Sequence, residues 1–293
     1  MMLQTFASDS CAIAYLQTLC DFSYKLDDGN CVEISFHNEN YVFGGTLRKN
    51  PSKRKIIEIV GNMPNLKSLN LRKCKLGILP PICSTSLEYL DISCNDLESV
   101  PVWVTQQHSL KFLNLGANKL KEVPDLSNLP LETLKLHKNL ISKMPPIRSD
   151  IKNLNLYLNP FKDIPKIVPQ LTNLEVFSFG VTEVAELPNL FTLENLRWLT
   201  LTVNKIKIIP DDICLLPKLE GLQLAKNQIL ELPDNIGNLN VKHLSIYKNQ
   251  LSKLPDSFYN LKLSKLNLEK NNLSDVEKSR IKQQFDGIGL LKI

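Results

Sequence analysis

LKSLNLRKCKL at residues 66–76, LEYLDISCNDL at 87–97 and LKFLNLGANKL at 110–120 are three versions of one phrase. The phrase fits the template LxxLxLxxNxL, and ten copies of it fill most of a chain of 293 residues. The copies begin at residues 66, 87, 110, 131, 151, 174, 196, 219, 241 and 263. Such self-similarity predicts a solenoid, in which each copy buries its apolar side against its neighbours.

The centre of each copy, xLxLx, alternates apolar and variable residues and therefore predicts a short strand. Its leucines point into the solenoid, whereas the variable residues at the third, fifth and seventh positions of the template point outwards. Strands of successive copies are expected to stack in parallel, about 4.8 Å apart. The predicted fold class is an α/β solenoid with a parallel, concave β-sheet and helical caps at both ends.

The ninth position of the template is asparagine in eight of the ten copies, and Cys74 and Thr182 replace it in the first and sixth. An asparagine there is expected to bond backbone groups at the turn that would otherwise be buried without partners. The first nine copies continue with an apolar residue and a proline, as in Val123-Pro124. All variation in copy length falls after this proline, on the predicted convex side.

The whole chain, residues 1–293, is interpreted as a single repeat domain. Residues 1–30 are expected to form an N-terminal helical cap, with a helix over 8–24 that begins at Ser8, Asp9 or Ser10. Its apolar residues are Ile13, Leu16, Leu19 and Cys20. Residues 31–65 then form a degenerate first repeat and a basic connection. The core positions of this repeat are Ile34, Phe36 and Tyr41.

The ten copies occupy residues 66–273, and residues 274–293 are expected to form a C-terminal cap. A capping box, Ser274 to Glu277, predicts the start of a helix. Val276, Ile281 and Phe285 are expected to cover the last repeat, because a solenoid needs a closing element at each end.

The repeats resemble the leucine-rich-repeat family across about residues 31–273, and the family implies a horseshoe shape. The Leu-Pro pairs and short copies such as PPIRSDIKNLNLYLNPFKDIP (145–165) are similar to the bacterial secreted-effector type, including effectors of the Legionella kind. Effector relatives of this type often carry a ubiquitin-ligase domain after the repeats. Since the sequence ends at Ile293, that activity is not expected here.

The composition favours a protein partner in a reducing compartment. Lysine and arginine exceed aspartate and glutamate by five, which is a mild excess and does not indicate nucleic-acid binding. The basic stretch 48–55 is interpreted as a solvated loop, although it could also contact phosphate or acidic protein. Seven cysteines, an odd number without clustered spacing, favour reduced thiols. No signal peptide or membrane span is expected, so the predicted location is cytoplasmic, with translocation into a host cell as the alternative.

No catalytic site, metal or cofactor is predicted. The four histidines, His37, His108, His137 and His243, lie in separate repeats, too far apart for a shared proton relay. Cys94 has Asp91 and Ser93 as strand neighbours, but no histidine lies in an adjacent repeat to act as a base. The chain also lacks the glycine-rich and metal-binding motifs of common enzymes.

The outward positions of the strands carry more aromatic and apolar residues than a solvated face requires. Tyr89 and Phe112 occupy the third position of adjacent copies, as do Val176 and Trp198. An exposed apolar patch on a concave sheet predicts an interface in which tyrosine and tryptophan dominate the binding energy. The candidate partner-binding residues are Tyr89, Phe112, His137, Tyr157, Leu158, Val176, Val181, Trp198, Val203, His243 and Tyr247. In the alternative interpretation, side chains of the irregular sixth copy collapse on one another.

The predicted function is non-enzymatic protein binding, in which a monomer grips a folded partner on its concave face and forms a heterocomplex. If that partner is an enzyme, the grip would occlude its active site, as leucine-rich-repeat ribonuclease inhibitors do. An adaptor or scaffold that engages host proteins is the alternative. A basic row, Lys226, Lys248 and Lys270 at the eighth position of the template, would steer an acidic partner.

Overall fold

A computed structural model describes residues 8–17, 22–36, 58–79 and 81–293. The chain divides into two compact units, Met1–Arg148 and Ser149–Ile293, here called the N-terminal unit and the C-terminal unit. Each unit is built from short strands that follow the repeat, one strand to a copy, with three-residue strands at the third to fifth positions of the template. The predicted fold class, a solenoid with a parallel sheet, is confirmed.

In the N-terminal unit a helix and an antiparallel strand pair precede the regular repeats. β1 and β2 pair antiparallel, and β2 to β6 then pair in parallel and in register. The elements are α1 (Asp9–Gln17), β1 (Ser23–Asp27), β2 (Asn30–Ser35), β3 (Ser68–Asn70), β4 (Tyr89–Asp91), β5 (Phe112–Asn114) and β6 (Thr133–Lys135). A short 3-10 helix, Val102–Gln106, follows β4.

The C-terminal unit continues the same pattern, and each of its strands pairs in parallel with the next. The elements are β7 (Asn153–Asn155), β8 (Val176–Ser178), β9 (Trp198–Thr200), β10 (Gly221–Gln223), β11 (His243–Ser245), β12 (Lys265–Asn267), α2 (Asp275–Gln284) and β13 (Leu290–Lys292). Short 3-10 helices connect several of them: Val168–Gln170, Asp211–Leu215, Ile236–Asn238 and Asp256–Asn260.

The core of each unit consists of the leucines predicted to point inwards. Leu113 and Leu115 in the N-terminal unit, and Leu199 and Leu201 in the C-terminal unit, are fully buried. Burying one such side chain contributes about 2 kcal/mol. The repeated template therefore supplies a continuous apolar interior within each unit, and the residues between the leucines remain at the surface.

The asparagine at the ninth position bridges neighbouring copies, as expected. The side chain of Asn118 donates to the carbonyls of Ile92 and Leu115, at 3.1 and 2.9 Å, and its Oδ1 accepts from the N–H of Asn95 and Leu97, both at 3.0 Å. These backbone groups lie in the interior, where water cannot satisfy them. The asparagine ladder is therefore structural.

The N-terminal cap differs from the prediction beyond residue 17. Ser8 caps α1 by accepting from the N–H of Cys11 at 3.3 Å, and Ile13 and Leu16 are buried as expected, whereas Leu19 and Cys20 lie outside the described residues. The predicted helix over 8–24 is wrong at its end, because Ser23–Asp27 is a strand. An Asp28-Gly29 turn with positive φ at both residues, 47° and 76°, folds β1 back onto β2 as a hairpin.

The degenerate first repeat begins with β2, as predicted from Cys31 onwards. Ile34 and Phe36 are buried, and β2 pairs in parallel with β3, as a repeat strand should. Tyr41 and the basic stretch 48–55 lie outside the described residues.

The C-terminal cap is a helix with one wrongly assigned residue. Ser274 caps α2 by accepting from the N–H of Glu277, and Ile281 and Phe285 are buried against the repeats. The carboxylate of Glu277, however, accepts from the hydroxyl of Tyr259 at 2.6 Å. Val276 is 80% exposed, because a residue five places before Ile281 lies on the far side of a helix.

The final residues form a strand that was not predicted, since β13 pairs in parallel with β12. Within the described ranges, no helix has both the length and the apolar character that crossing a bilayer requires.

Candidate functional site

The surface that carries the third, fifth and seventh positions of the copies, here called the sheet face, holds most of the candidate residues. Ten of the eleven are half-buried, and Val181 is 36% exposed. Tyr89, Phe112 and His137 belong to the N-terminal unit, and the other eight belong to the C-terminal unit. Because Val181 remains exposed, the sixth copy does not fold that side chain into the interior.

In the N-terminal unit, Tyr89 and Phe112 stack on each other. The strands β4 and β5 pair these two residues in register, and their ring centroids lie 4.3 Å apart with the planes 11° from parallel. On the other side of Phe112, the ammonium of Lys135 lies 5.2 Å from the ring centroid, within the range of a cation–π contact. Tyr89, Phe112 and Lys135 thus form a lateral row across three strands.

A buried polar network lies beside this row. Asp91, only 5% exposed, accepts from the hydroxyl of Ser93 at 2.6 Å, from the Ser93 N–H at 2.9 Å and from the amide of Asn114 at 2.9 Å. The network therefore satisfies a buried carboxylate with three donors. Since the Ser93 hydroxyl donates its hydrogen bond to Asp91 and not to a histidine, these residues do not form a nucleophile–histidine pair of the serine-hydrolase kind.

His137 lies across the backbone of Gly116 in the preceding copy, where a Cβ atom would collide with the imidazole ring. Burial, together with the positive charges of Lys135 and Lys138, lowers the pKa of His137 below its usual value. The imidazole is therefore mainly neutral at physiological pH. Its Nδ1 atom is buried and has no hydrogen-bond partner among the described residues.

In the C-terminal unit, two aromatic rings of the sheet face, Tyr157 and Trp198, lie over glycines of the following copy. Tyr157 covers Gly180, whose added Cβ would come within 2.8 Å of the ring, and its hydroxyl lies 3.4 Å from the Thr202 hydroxyl beyond. Trp198 covers Gly221 in the same way, and its ring centroid lies 5.4 Å from that of His243, at 58°. Both rings therefore lie along the stacking direction.

Val176 and Tyr247 are two further candidate residues of the C-terminal unit. Val176 pairs in register with Trp198 across β8 and β9, so that the two share one side of the sheet. Tyr247 lies beneath the ammonium of Lys270, which is 5.4 Å from the ring centroid. The nearby Lys270 lowers the pKa of Tyr247. Val176 therefore lies beside Trp198, and Tyr247 lies beside a lysine of the last copy.

The eighth position of every copy adopts the left-handed backbone conformation. Leu158, Val181 and Val203 have φ values of 57°, 58° and 60°. Such values are rare for residues other than glycine and asparagine, and they are strained for a β-branched side chain. The corresponding residues of the next three copies are Lys226, Lys248 and Lys270, with φ between 54° and 59°.

A metal-binding group is not present in the described part of the chain, where no three residues of the His, Cys, Asp or Glu type converge. Cys94 is half-buried at an eighth position. The chemistry of the sheet face is thus that of aromatic rings, amides and a few charges, which suits non-covalent recognition.

Sequence reasoning found the outward residues but missed what lies beneath them. The signal was available, because each ring and its glycine occupy the same template position in adjacent copies: His137 and Gly116 the seventh, Tyr157 and Gly180 the seventh, Trp198 and Gly221 the third. Parallel strands in register place such residues side by side. Aligning the copies therefore predicts which glycine lies beneath each ring.

The profile described as Leucine Rich Repeat matches residues 65–85 and 240–261. A solved leucine-rich-repeat protein of Leptospira interrogans is 31% identical to the chain, with a TM-score of 0.69, and the match covers 80% of this chain and 68% of that one. The chain belongs to the leucine-rich-repeat family. The resemblance drawn from the repeated phrase is thereby confirmed at the level of the family.

Further similarities of this leucine-rich-repeat protein are more distant. A solved YopM of Yersinia enterocolitica is 28% identical, with a TM-score of 0.60, over 72% of this chain and 43% of that one. The protein SUPPRESSOR OF npr1-1, CONSTITUTIVE 1 of Arabidopsis thaliana is 30% identical over 210 residues, which are 67% of this chain and 14% of the relative. The chain spans between 5% and 27% of the length of the first curated relatives that it matches.

Proposed function

We propose that this protein binds another protein through the sheet face of its repeats and catalyses no reaction, with Trp198 as the principal contact of the C-terminal unit. The position of the Trp198 ring supports this proposal. The ring lies over Gly221, touches His243 and keeps part of its surface accessible. A large ring held from below loses little conformational freedom when a partner covers it, so more of the contact energy appears as affinity.

Tyr157 strengthens the proposal, because it repeats the same arrangement two copies earlier in the C-terminal unit. Its ring is held between Gly180 and Thr202. Tyrosine and tryptophan are the residues that most often dominate binding energy at interfaces. The remaining candidates, Val176, Tyr247 and the eighth-position residues, would form the surroundings that exclude water from the two rings.

The similarity to bacterial proteins favours an effector role. YopM of Yersinia pestis is described as a leucine-rich effector protein, and its counterpart from Yersinia enterocolitica shares 28% identity with this chain. In this role the protein would act in a host cytosol as a monomer that forms a heterocomplex. If the partner is an enzyme, covering it would occlude the active site; an adaptor would instead hold two proteins at once.

The test begins with capture of partners from a host-cell lysate and measurement of the affinity for each purified partner. Trp198→Ala should weaken binding by about 2 kcal/mol, or roughly thirty-fold, with little change in melting temperature. Tyr157→Asp should abolish binding. Gln170→Asp, an exposed change away from the sheet face, is the matched control and should have no effect. A Trp198→Ala variant that melts early but binds normally would contradict the proposal.

The inhibitor and the adaptor are separated by measuring partner turnover. An inhibitor lowers the rate in proportion to the fraction bound, and Trp198→Ala relieves that inhibition. An adaptor leaves the rate unchanged and brings down a second protein that still binds when Trp198 is replaced.

A further inference from the structure

The eighth positions of the C-terminal unit form an ordered row with a sharp change of chemistry. The first three residues are apolar and the last three are basic. In order along the unit they are Leu158, Val181, Val203, Lys226, Lys248 and Lys270. The lysines and Val181 are exposed, and the other two are half-buried. This row is here called the eighth-position row.

Backbone hydrogen bonds fix the spacing of the row. The N–H of each of its first five residues donates to the carbonyl of the seventh residue in the next copy, at 2.7 to 3.1 Å. Successive side chains therefore emerge about one strand spacing apart, roughly 4.8 Å, and the row extends for about 24 Å. An extended peptide of about seven residues covers that length at about 3.3 Å per residue.

The fold itself does not require the valines. Their left-handed conformation disfavours β-branched side chains, and glycine or asparagine would adopt it with less strain. In the N-terminal unit the eighth positions are Lys73, Cys94, Ala117 and Lys138, none of which is β-branched. Apolar side chains that keep part of their surface in water and stand on a strained backbone do not benefit the isolated C-terminal unit, so a contact with a partner accounts for them better.

The positive charges of the basic half of the row are mostly not neutralised by ion pairs. Among the described residues, neither Lys226 nor Lys248 forms an ion pair, and Lys270 rests against the Tyr247 ring. Glu269, at a seventh position, supplies one negative charge nearby. Three ammonium groups within about 10 Å of one another create a positive field that attracts acidic side chains.

We infer that the eighth-position row binds an extended segment of a partner protein in which an apolar stretch adjoins a run of aspartate or glutamate. The apolar stretch lies along Leu158, Val181 and Val203, and the acidic run lies along the three lysines. The inference rests on the proposed protein-binding function and gives it a partner chemistry and an alignment. It does not require Trp198, which lies at a third position.

A fluorescent synthetic peptide, with a run of leucine and valine followed by a run of glutamate, tests the inference on the full chain. Val203→Asn should weaken peptide binding roughly ten-fold. The same change should raise the melting temperature by roughly 2–4 °C, because asparagine relieves the strained conformation. A variant that is more stable yet binds less cannot be explained by unfolding. Lys248→Glu should weaken binding at least as much, and more at low salt.

Lys138→Glu, an exposed eighth position of the N-terminal unit, is the matched control and should leave binding unchanged. Replacing the glutamates of the peptide by lysine should abolish binding. The inference is overturned if the peptide fails to bind at millimolar concentration or if Val203→Asn binds it normally. It is also overturned if a single-stranded oligonucleotide binds more tightly than the peptide and depends on the lysines alone.

The outcomes separate this inference from the proposed function. If Trp198→Ala abolishes binding of a captured partner while the row variants change nothing, binding through the sheet face is supported and the inference about the eighth-position row is overturned. If the row variants weaken peptide binding while Trp198→Ala leaves the partner's affinity intact, the row stands and the assignment to Trp198 falls.

Discussion

The N-terminal and C-terminal units are built from the same kind of repeat, but the aromatic residues of their sheet faces are supported in different ways. In the N-terminal unit, Tyr89 and Phe112 stack 4.3 Å apart and adjoin the buried carboxylate of Asp91. In the C-terminal unit, Tyr157 and Trp198 each lie over a glycine, as His137 also does in the N-terminal unit, and the ring beside Trp198, that of His243, is tilted and 5.4 Å away. The first arrangement pairs side chains with one another, whereas the second holds separate rings against bare backbone.

This difference indicates that the aromatic residues of the N-terminal unit contribute more to stability, and those of the C-terminal unit more to binding. A ring stacked on a ring loses a partner when its neighbour is removed, so changes to the N-terminal pair should lower the stability of the fold. A ring over glycine buries little beyond its own lower surface, so changes to Trp198 should act mainly on binding. Three stability measurements test this comparison.

The largest effect is expected at Asp91. Asp91→Ala removes the acceptor for Ser93 and Asn114 and leaves buried donors unpaired, so unfolding free energy should fall by about 3 kcal/mol. Denaturant titration measures the change. Gln223→Ala, at the same template position in the C-terminal unit and half-buried, should cost less than about 0.5 kcal/mol. Equal losses of unfolding free energy at the two sites would contradict the idea that the Asp91 network stabilises the N-terminal unit in a way that the C-terminal unit does not share.

An intermediate effect is expected in the asparagine ladder, which both units share. Asn118→Ala and Asn227→Ala should each cost about 2 kcal/mol, because each strands backbone groups in two neighbouring copies. Thermal unfolding monitored by circular dichroism gives both values. Similar costs would show that the asparagine ladder contributes equally to both units, so that the units differ only in the residues of the sheet face. An unchanged melting temperature for Asn118→Ala would refute a structural role for the ladder.

The smallest effect is the coupling between neighbouring rings. A double-mutant cycle on Tyr89 and Phe112, with alanine at each, should give a coupling energy of about 1 kcal/mol, as stacked rings usually do. The tilted and more distant Trp198 and His243 pair should give less than about 0.5 kcal/mol in the same unfolding assay. The reverse order would contradict the idea that the N-terminal rings depend more on each other.

The repeated part of the fold could be predicted from the sequence because one physical rule governs every copy. Leucines that alternate with variable residues must face inwards, and the asparagine must satisfy turn backbone, as Leu113 and Asn118 do. The ends could not be read by the same rule. The Asp28-Gly29 pair is a strong hairpin signal, but apolar residues at helical spacing before it favoured a longer helix. Val276 was misplaced because position in a helix, not apolar character, decides which side is covered.

The candidate site was predictable to the level of which side chains point outwards. The surfaces beneath those side chains were missed, because they depend on neighbours about 20 residues away in sequence, such as Gly221 beneath Trp198. The left-handed conformation at the eighth position was also missed. It is set by the turn after each strand, and valine at positions 181 and 203 gives no local signal for it.

The sixth copy has a consequence for how the C-terminal unit opens. There Thr182 replaces asparagine, and its hydroxyl donates to Asn204 in the next copy, whereas Asn227 donates directly to the Leu201 backbone of the preceding copy at 2.9 Å. Because a repeat array holds together through nearest neighbours, the side chain of Thr182, whose hydrogen bonds in the described chain do not reach the fifth copy, should make the junction between the fifth and sixth copies easier to open. Amide protons near residues 179–184 should accordingly exchange with solvent sooner than those on either side. A protease that samples such openings should therefore cut the C-terminal unit first near its sixth copy.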